Sequence, residues 1–214
     1  MKNIILAVLL VSLTSFSATE KSRILIIGDS ISLGYTPFVT EALKDIAIII
    51  HNPGNAQHTG TGLERLEKWI RATDYDIIQF NWGLWDLCYR HSDSKVYGNR
   101  DKINGEVTYT IEEYAKNLDT LVSILKENTD AELIFVTTSY VPEGEAGRYV
   151  KDPLRYNKAA KKIMKKHHIL VNDIYKKSKR IHKNEGQAPG DVHYTKAGYQ
   201  ELAKSISKVL QKEL

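Results

Sequence analysis

Short apolar runs rich in β-branched residues alternate along this chain with longer stretches of helical periodicity, and that alternation limits the possible folds more than any other feature. Residues 23–27, 46–50, 76–81, 132–138 and 169–171 read as strands, and residues 36–44, 62–71, 111–126, 153–167 and 195–212 read as helices. Pro37 falls in the first turn expected of the first helix. In 111–126 the apolar residues Ile111, Tyr114, Leu118, Leu121, Val122 and Leu125 recur at helical spacing, and Thr110 with Glu113 forms a capping-box pattern. A strand that returns parallel to its predecessor needs a crossover over one face of the sheet. The alternation therefore predicts an α/β fold with a parallel sheet covered on both faces.

In such sheets ligands and reacting groups gather outside the carboxyl ends of the strands. Gly28-Asp29-Ser30 falls at that edge, as do the turn at 55–59, the loop after Asn81 and the loop after Thr138. A serine there has two readings: a tight turn with a helix cap, or a nucleophile. A serine hydroxyl is a weak nucleophile and needs a base within hydrogen-bond reach, most often a histidine oriented by a carboxylate. Asp191 and His193 supply both types in the loop before the last helix, and a doubly wound topology allows that loop to fold back over Ser30. Taken alone, Asp191 also reads as a turn cap and His193 as a surface histidine.

Three segments carry a resemblance to a known family. "GDSIS" after the first strand, "NWGLWD" after the third and "GDVHYTKAGY" before the last helix are similar, in order and spread, to the SGNH (GDSL) hydrolases. "TTSYVPEG" and "RYNKAAKKIM" resemble a bacterial branch of that family. The resemblance implies a three-layer α/β/α sandwich around a flavodoxin-like parallel sheet of about five strands. It also implies a nucleophile at Ser30, a base at His193 with Asp191 as its acid, and hydrolysis of small acyl esters, often on carbohydrate, without metal or other cofactor. Three positions depart from the family pattern. Its acid stands three residues before the histidine, where this chain has Gly190. Its oxyanion asparagine falls on Trp85, with Asn81 as a nearby substitute, and its backbone-donating glycine falls near Gln57. Gln57, Asn81 and Trp85 are thus the candidate oxyanion residues, beside the N–H of Ser30 itself.

The remaining features bound the setting. Lys2, the apolar run 4–13 and the small-residue exit 15–18 read as a signal peptide over 1–18, leaving 19–214 as one hydrolase domain. An exported protein, periplasmic or extracellular, with no stable membrane association after cleavage, is the expectation. The net charge of +4 is mild, and the late lysines share helical stretches with apolar residues. They read as a solvated helix face rather than a nucleic-acid surface. Cys88 is the only cysteine, which rules out an internal disulfide. His51, His58, His91, His167, His168 and His182 show no metal-ligand spacing, although His58 and His91 sit on loops at the active edge. Asn157 is expected to bind nearby backbone, and Arg148 and Lys151 to lie in a solvated loop, with contact to an anionic sugar as the lesser alternative. The favoured partner is a small-molecule or glycan ester, in first place an O-acetylated sugar. Two alternatives use the same fold: a lipolytic or thioesterase-type acyl hydrolase, against which the polar stretch 93–106 counts, and a catalytically idle glycan-binding protein, which the departures at Trp85 and Asp191 would suit.

Overall fold

The computed structural model describes residues 20–71, 73–91 and 99–214, so the signal-peptide reading of 1–18 and part of the 93–106 stretch lie outside the described residues. Five strands, β1 (Ser22–Ile27), β2 (Ala47–His51), β3 (Ile77–Phe80), β6 (Glu132–Val136) and β7 (Leu170–Asn172), pair in parallel in the order β2-β1-β3-β6-β7. This is the flavodoxin-like order, and the direction in which successive strands are added reverses at β1 and β3. Two two-residue strands, β4 (Tyr89–Arg90) and β5 (Glu106–Val107), form a separate antiparallel pair in the long loop after β3.

The layers follow from crossover handedness. The step from β1 to β2 goes one way along the sheet and every later step goes the other. Right-handed crossovers then place α1 (Ser30–Leu43) on one face and α2 (Thr59–Ile70), α3 (Ile111–Asn128) and α4 (Asp152–His167) on the opposite one. α2 packs on α3 and α3 on α4, whereas α6 (Lys196–Lys212) packs on α1 and on α5 (Tyr175–Glu185). Ile24–Ile27 and Ile77–Phe80 are buried throughout, as strands covered on both faces must be. α1 and α6 approach closely at Gly34, where a Cβ would lie 2.2 Å from Cε1 of Tyr199. No described helix is long and apolar enough to cross a membrane.

Three local differences from the sequence reading have physical causes. α1 starts at Ser30, not Thr36, because Asp29 caps it by accepting from the Ile31 N–H. Pro37 then lies inside the helix, but it and Leu33 face solvent, so the carbonyl that loses its helical partner stays open to water. α2 starts three residues early, with His58 as its cap: Nδ1 accepts from the Thr61 N–H at 3.1 Å. α5 was not expected because its sequence is strongly basic and low in apolar residues, although Tyr175, Ser178 and Ile181 line its buried face.

Candidate active site

Ser30 occupies the first position of α1, where the chain leaves β1 beside the switch point. The turn-and-cap reading of Gly-Asp-Ser holds: Asp29 is the cap, and the helix it starts carries Ser30 at its first position. A backbone N–H at this position has no partner within its own helix and lies at the positive end of the helix dipole. Burial pushes the Asp29 carboxyl up, against the Ile31 N–H and the Arg148 charge.

The loop before α6 closes over this point. His193 Nε2 lies 2.9 Å from Ser30 Oγ, and His193 Nδ1 lies 2.6 Å from Asp191 Oδ1. A carboxylate can only accept, so the ring proton sits on Nδ1 and leaves Nε2 to accept from the hydroxyl. The same Oδ1 accepts the backbone N–H of His193 at 2.9 Å. That turn shows how an acid two residues before the histidine reaches its ring: the side chain folds over its own backbone. Burial disfavours the charge on Asp191, but the His193 N–H and ring, with Arg100 nearby, outweigh it and hold the carboxyl below its ordinary value. Gly190 has φ of +73°, and a Cβ there would lie 2.8 Å from the Gly144 carbonyl oxygen. The loop thus takes glycine at the position where the family pattern has its acid.

A cavity of about 280 Å³ opens beside the serine, lined by Ser30, His193, Asp191 and Trp85 among others. Of the three candidate oxyanion residues, only Trp85 reaches its wall. Asn81 donates through Nδ2 to the Val136 carbonyl at 2.7 Å, tying the ends of β3 and β6 together. Gln57, at a φ of 53°, donates its N–H to Asn55 Oδ1 at 2.8 Å. Asn157 brackets the Thr138 backbone, accepting its N–H at 2.8 Å and donating to its carbonyl at 2.9 Å. Neither His58 nor His91 lines the cavity. Among the described residues no group of three or more His, Cys, Asp or Glu side chains is placed to hold a metal.

Arg148 differs from its expected place. Instead of lying in a solvated loop it is 5% exposed and forms part of the cavity wall. Its Nε donates to the Leu84 carbonyl at 2.6 Å, and a terminal nitrogen donates to Glu145 Oε1 at 2.8 Å. Arg90 and Arg100 stand in the same wall, with the Arg90 guanidinium 5.0 Å from the centre of the Trp85 ring. Sequence reasoning missed Glu145 altogether, since nothing marks a glutamate in a Gly-rich loop as buried.

Neither a family model nor a curated protein matches the chain. Solved structures do. A lipase/acylhydrolase from Enterococcus faecalis superposes with a TM-score of 0.71 at 20% identity, covering 90% of this chain and 96% of its own. The acetyl xylan esterase AlAXEase gives 0.69 at 15%, covering 88% and 99%. Axe2, an acetylxylan esterase from Geobacillus stearothermophilus, gives 0.66 at 19%, covering 87% and 93%. The class these likenesses define is the three-layer α/β/α sandwich shared over nearly the whole length of each chain.

Proposed function

We propose that this protein is a serine esterase of the SGNH hydrolase type that removes small acyl groups, in first place acetyl groups, from carbohydrate. The observation that carries the reading is the continuous hydrogen-bonded line from Ser30 Oγ through His193 to Asp191 at the mouth of a cavity. Ser30 Oγ attacks the ester carbonyl while His193 Nε2 takes its proton. The imidazolium, stabilised by Asp191, returns that proton to the leaving alcohol, and an acyl group remains on Ser30. Water then attacks the acyl-enzyme with His193 again as base, releasing the carboxylic acid. The tetrahedral oxyanion is held by the Ser30 N–H together with a donor from Trp85, the candidate in the cavity wall. Esterase and acetyl xylan esterase neighbours of the same fold support the substrate class. In this reading residues 1–18 direct export and 19–214 form the hydrolase domain.

The intact line of three residues favours an enzyme over an idle binding protein. The test is acetate release from acetylated xylo-oligosaccharide and 4-nitrophenyl acetate, compared with a long-chain 4-nitrophenyl ester, in the wild type and in Ser30→Ala. Acetyl esters should be the better substrates, and the variant should lose nearly all activity while melting as the wild type does. Undiminished hydrolysis by Ser30→Ala would return the serine to a purely structural role.

A further inference from the structure

The cavity beside Ser30 is lined by three guanidinium groups, and they come from three separate stretches of chain. Arg90 lies on β4, Arg100 bridges to it from beyond the loop, and Arg148 follows β6. Behind them Glu145, with a fully buried side chain, accepts from both Arg100 and Arg148 on one oxygen, at 2.7 and 2.8 Å. Its other oxygen accepts the Gly147 N–H at 2.7 Å. One buried carboxylate therefore orients two guanidiniums while neutralising only one. Arg148 is held further by the Leu84 carbonyl, and Arg100 keeps a side chain 39% exposed at the cavity.

Holding the buried Arg148 guanidinium beside that of the partly exposed Arg100 costs desolvation and repulsion, and an apolar replacement of Arg148 would fill the same space more cheaply. The arrangement is unlike a structural ion pair, because its excess positive charge faces a space large enough for a ligand. A fixed, planar fork of N–H donors matches a carboxylate or another oxyanion. Among the described residues the carboxylates in the wall are Asp29, which is buried under the turn, and Asp191, which is engaged by His193.

We infer that the ester hydrolysed at Ser30 belongs to an acidic glycan, with a sugar carboxylate near the acylated hydroxyl engaged by Arg100 and Arg148. This rests on the esterase reading and narrows it. A sugar fits better than a lipid because, among the described residues, Leu84, Trp85 and Val192 are the apolar surface of the wall, beside three arginines.

The experiment uses a matched pair: a methyl glucoside and a methyl glucuronide, O-acetylated at the same position, each assayed for acetate release. The wild type should prefer the glucuronide by about tenfold or more in kcat/KM, and the preference should shrink as salt rises from about 0.05 to 0.5 M. In Arg100→Gln the ratio between the two substrates should fall toward one. Arg100 is the variant of choice since Arg148 also supports the Leu84 turn. Competitive inhibition by free glucuronate, weakened in Arg100→Gln, gives a second readout independent of turnover. Equal or better hydrolysis of the glucoside, insensitive to salt, overturns the inference and leaves the esterase reading standing. A stronger preference for a short-chain phosphate-bearing lipid ester overturns the glycan assignment. Loss of all activity, including that on 4-nitrophenyl acetate, removes the esterase reading and this inference with it.

Discussion

Two serine–histidine hydrogen bonds start from the first turn of the same helix, and they are built for opposite ends. Ser30 Oγ meets His193 Nε2 at 2.9 Å; Ser32 Oγ meets His51 Nε2 at 2.7 Å. The distances do not separate them, but their surroundings do. Behind His193 stands a carboxylate, whereas behind His51 stands the Asn52 carbonyl at 2.8 Å. Ser30 lines a cavity, whereas Ser32 is buried under Gly28, whose missing Cβ would lie 2.6 Å from its Oγ. Ser32 Oγ also has a second acceptor for its one proton, the Asp29 carbonyl at 2.7 Å. A serine–histidine contact becomes nucleophilic only with an anion to stabilise the imidazolium and space for a substrate carbonyl. Without them it is a way of satisfying buried polar atoms.

The largest test of that contrast is a paired deletion. Ser30→Ala and His193→Ala should each lower kcat on 4-nitrophenyl acetate by about ten-thousandfold or more, while Ser32→Ala should cost less than about tenfold. A folded Ser32→Ala protein as inactive as Ser30→Ala would break the comparison. Next in size is the anion. Asp191→Asn should reduce kcat by about a thousandfold or more, because the ring loses both its orientation and its counter-charge. A loss below about tenfold would mean that His193 works without Asp191, and would leave the two pairs differing only in access.

The oxyanion donors come third. Trp85→Phe should lower kcat by about a hundredfold with little change in KM. Asn81→Ala should instead act on folding: it strands the Val136 carbonyl and should cost about 1–3 kcal/mol by denaturant titration, with kcat down less than about tenfold. The reverse pattern would assign the donor to Asn81. The smallest effect separates the histidines by pH. Burial holds His51 below its ordinary value of 6.5, against the help of the Asn52 carbonyl. As pH falls through 6.5 the unfolded chain takes up a proton that the folded chain refuses, so stability drops down to the folded value and is flat below it. His51→Gln should therefore flatten the fall in Tm on acidification relative to the wild type. An unchanged slope would mean that His51 is not buried as a neutral ring.

Much of this was legible in the sequence because it depended on patterns the backbone imposes. The parallel sheet, its two covered faces and the edge carrying Ser30 follow from alternation, the flavodoxin-like arrangement from the resemblance, and the apolar runs of β1 and β3 state their own burial. What escaped depended on distant partners. The cap at Asp29 and the solvent-facing side of Pro37 decide where α1 starts, yet Pro37 in the sequence points to a start six residues later. Arg148 reads as a loop cation until Glu145 and the Leu84 carbonyl are seen to hold it. Asn81 and Trp85 lie in one short motif, and only the bond from Asn81 to Val136, 55 positions away, separates their roles.

The close fit of Tyr199 over Gly34 also fixes when the protein can work. Ser30 and His193 are 163 positions apart, and all five sheet strands are complete before α6 is added. During vectorial synthesis or refolding Ser30 is thus in place early, on a sheet with an unfinished face and no histidine beside it. Contacts between such remote segments bear the largest loop-closure entropy and so form late. Only when the final helix lays its tyrosine ring onto the bare backbone of α1 does the histidine loop swing over the serine. On the esterase reading, hydrolysis is a signal that the two ends of the fold have met.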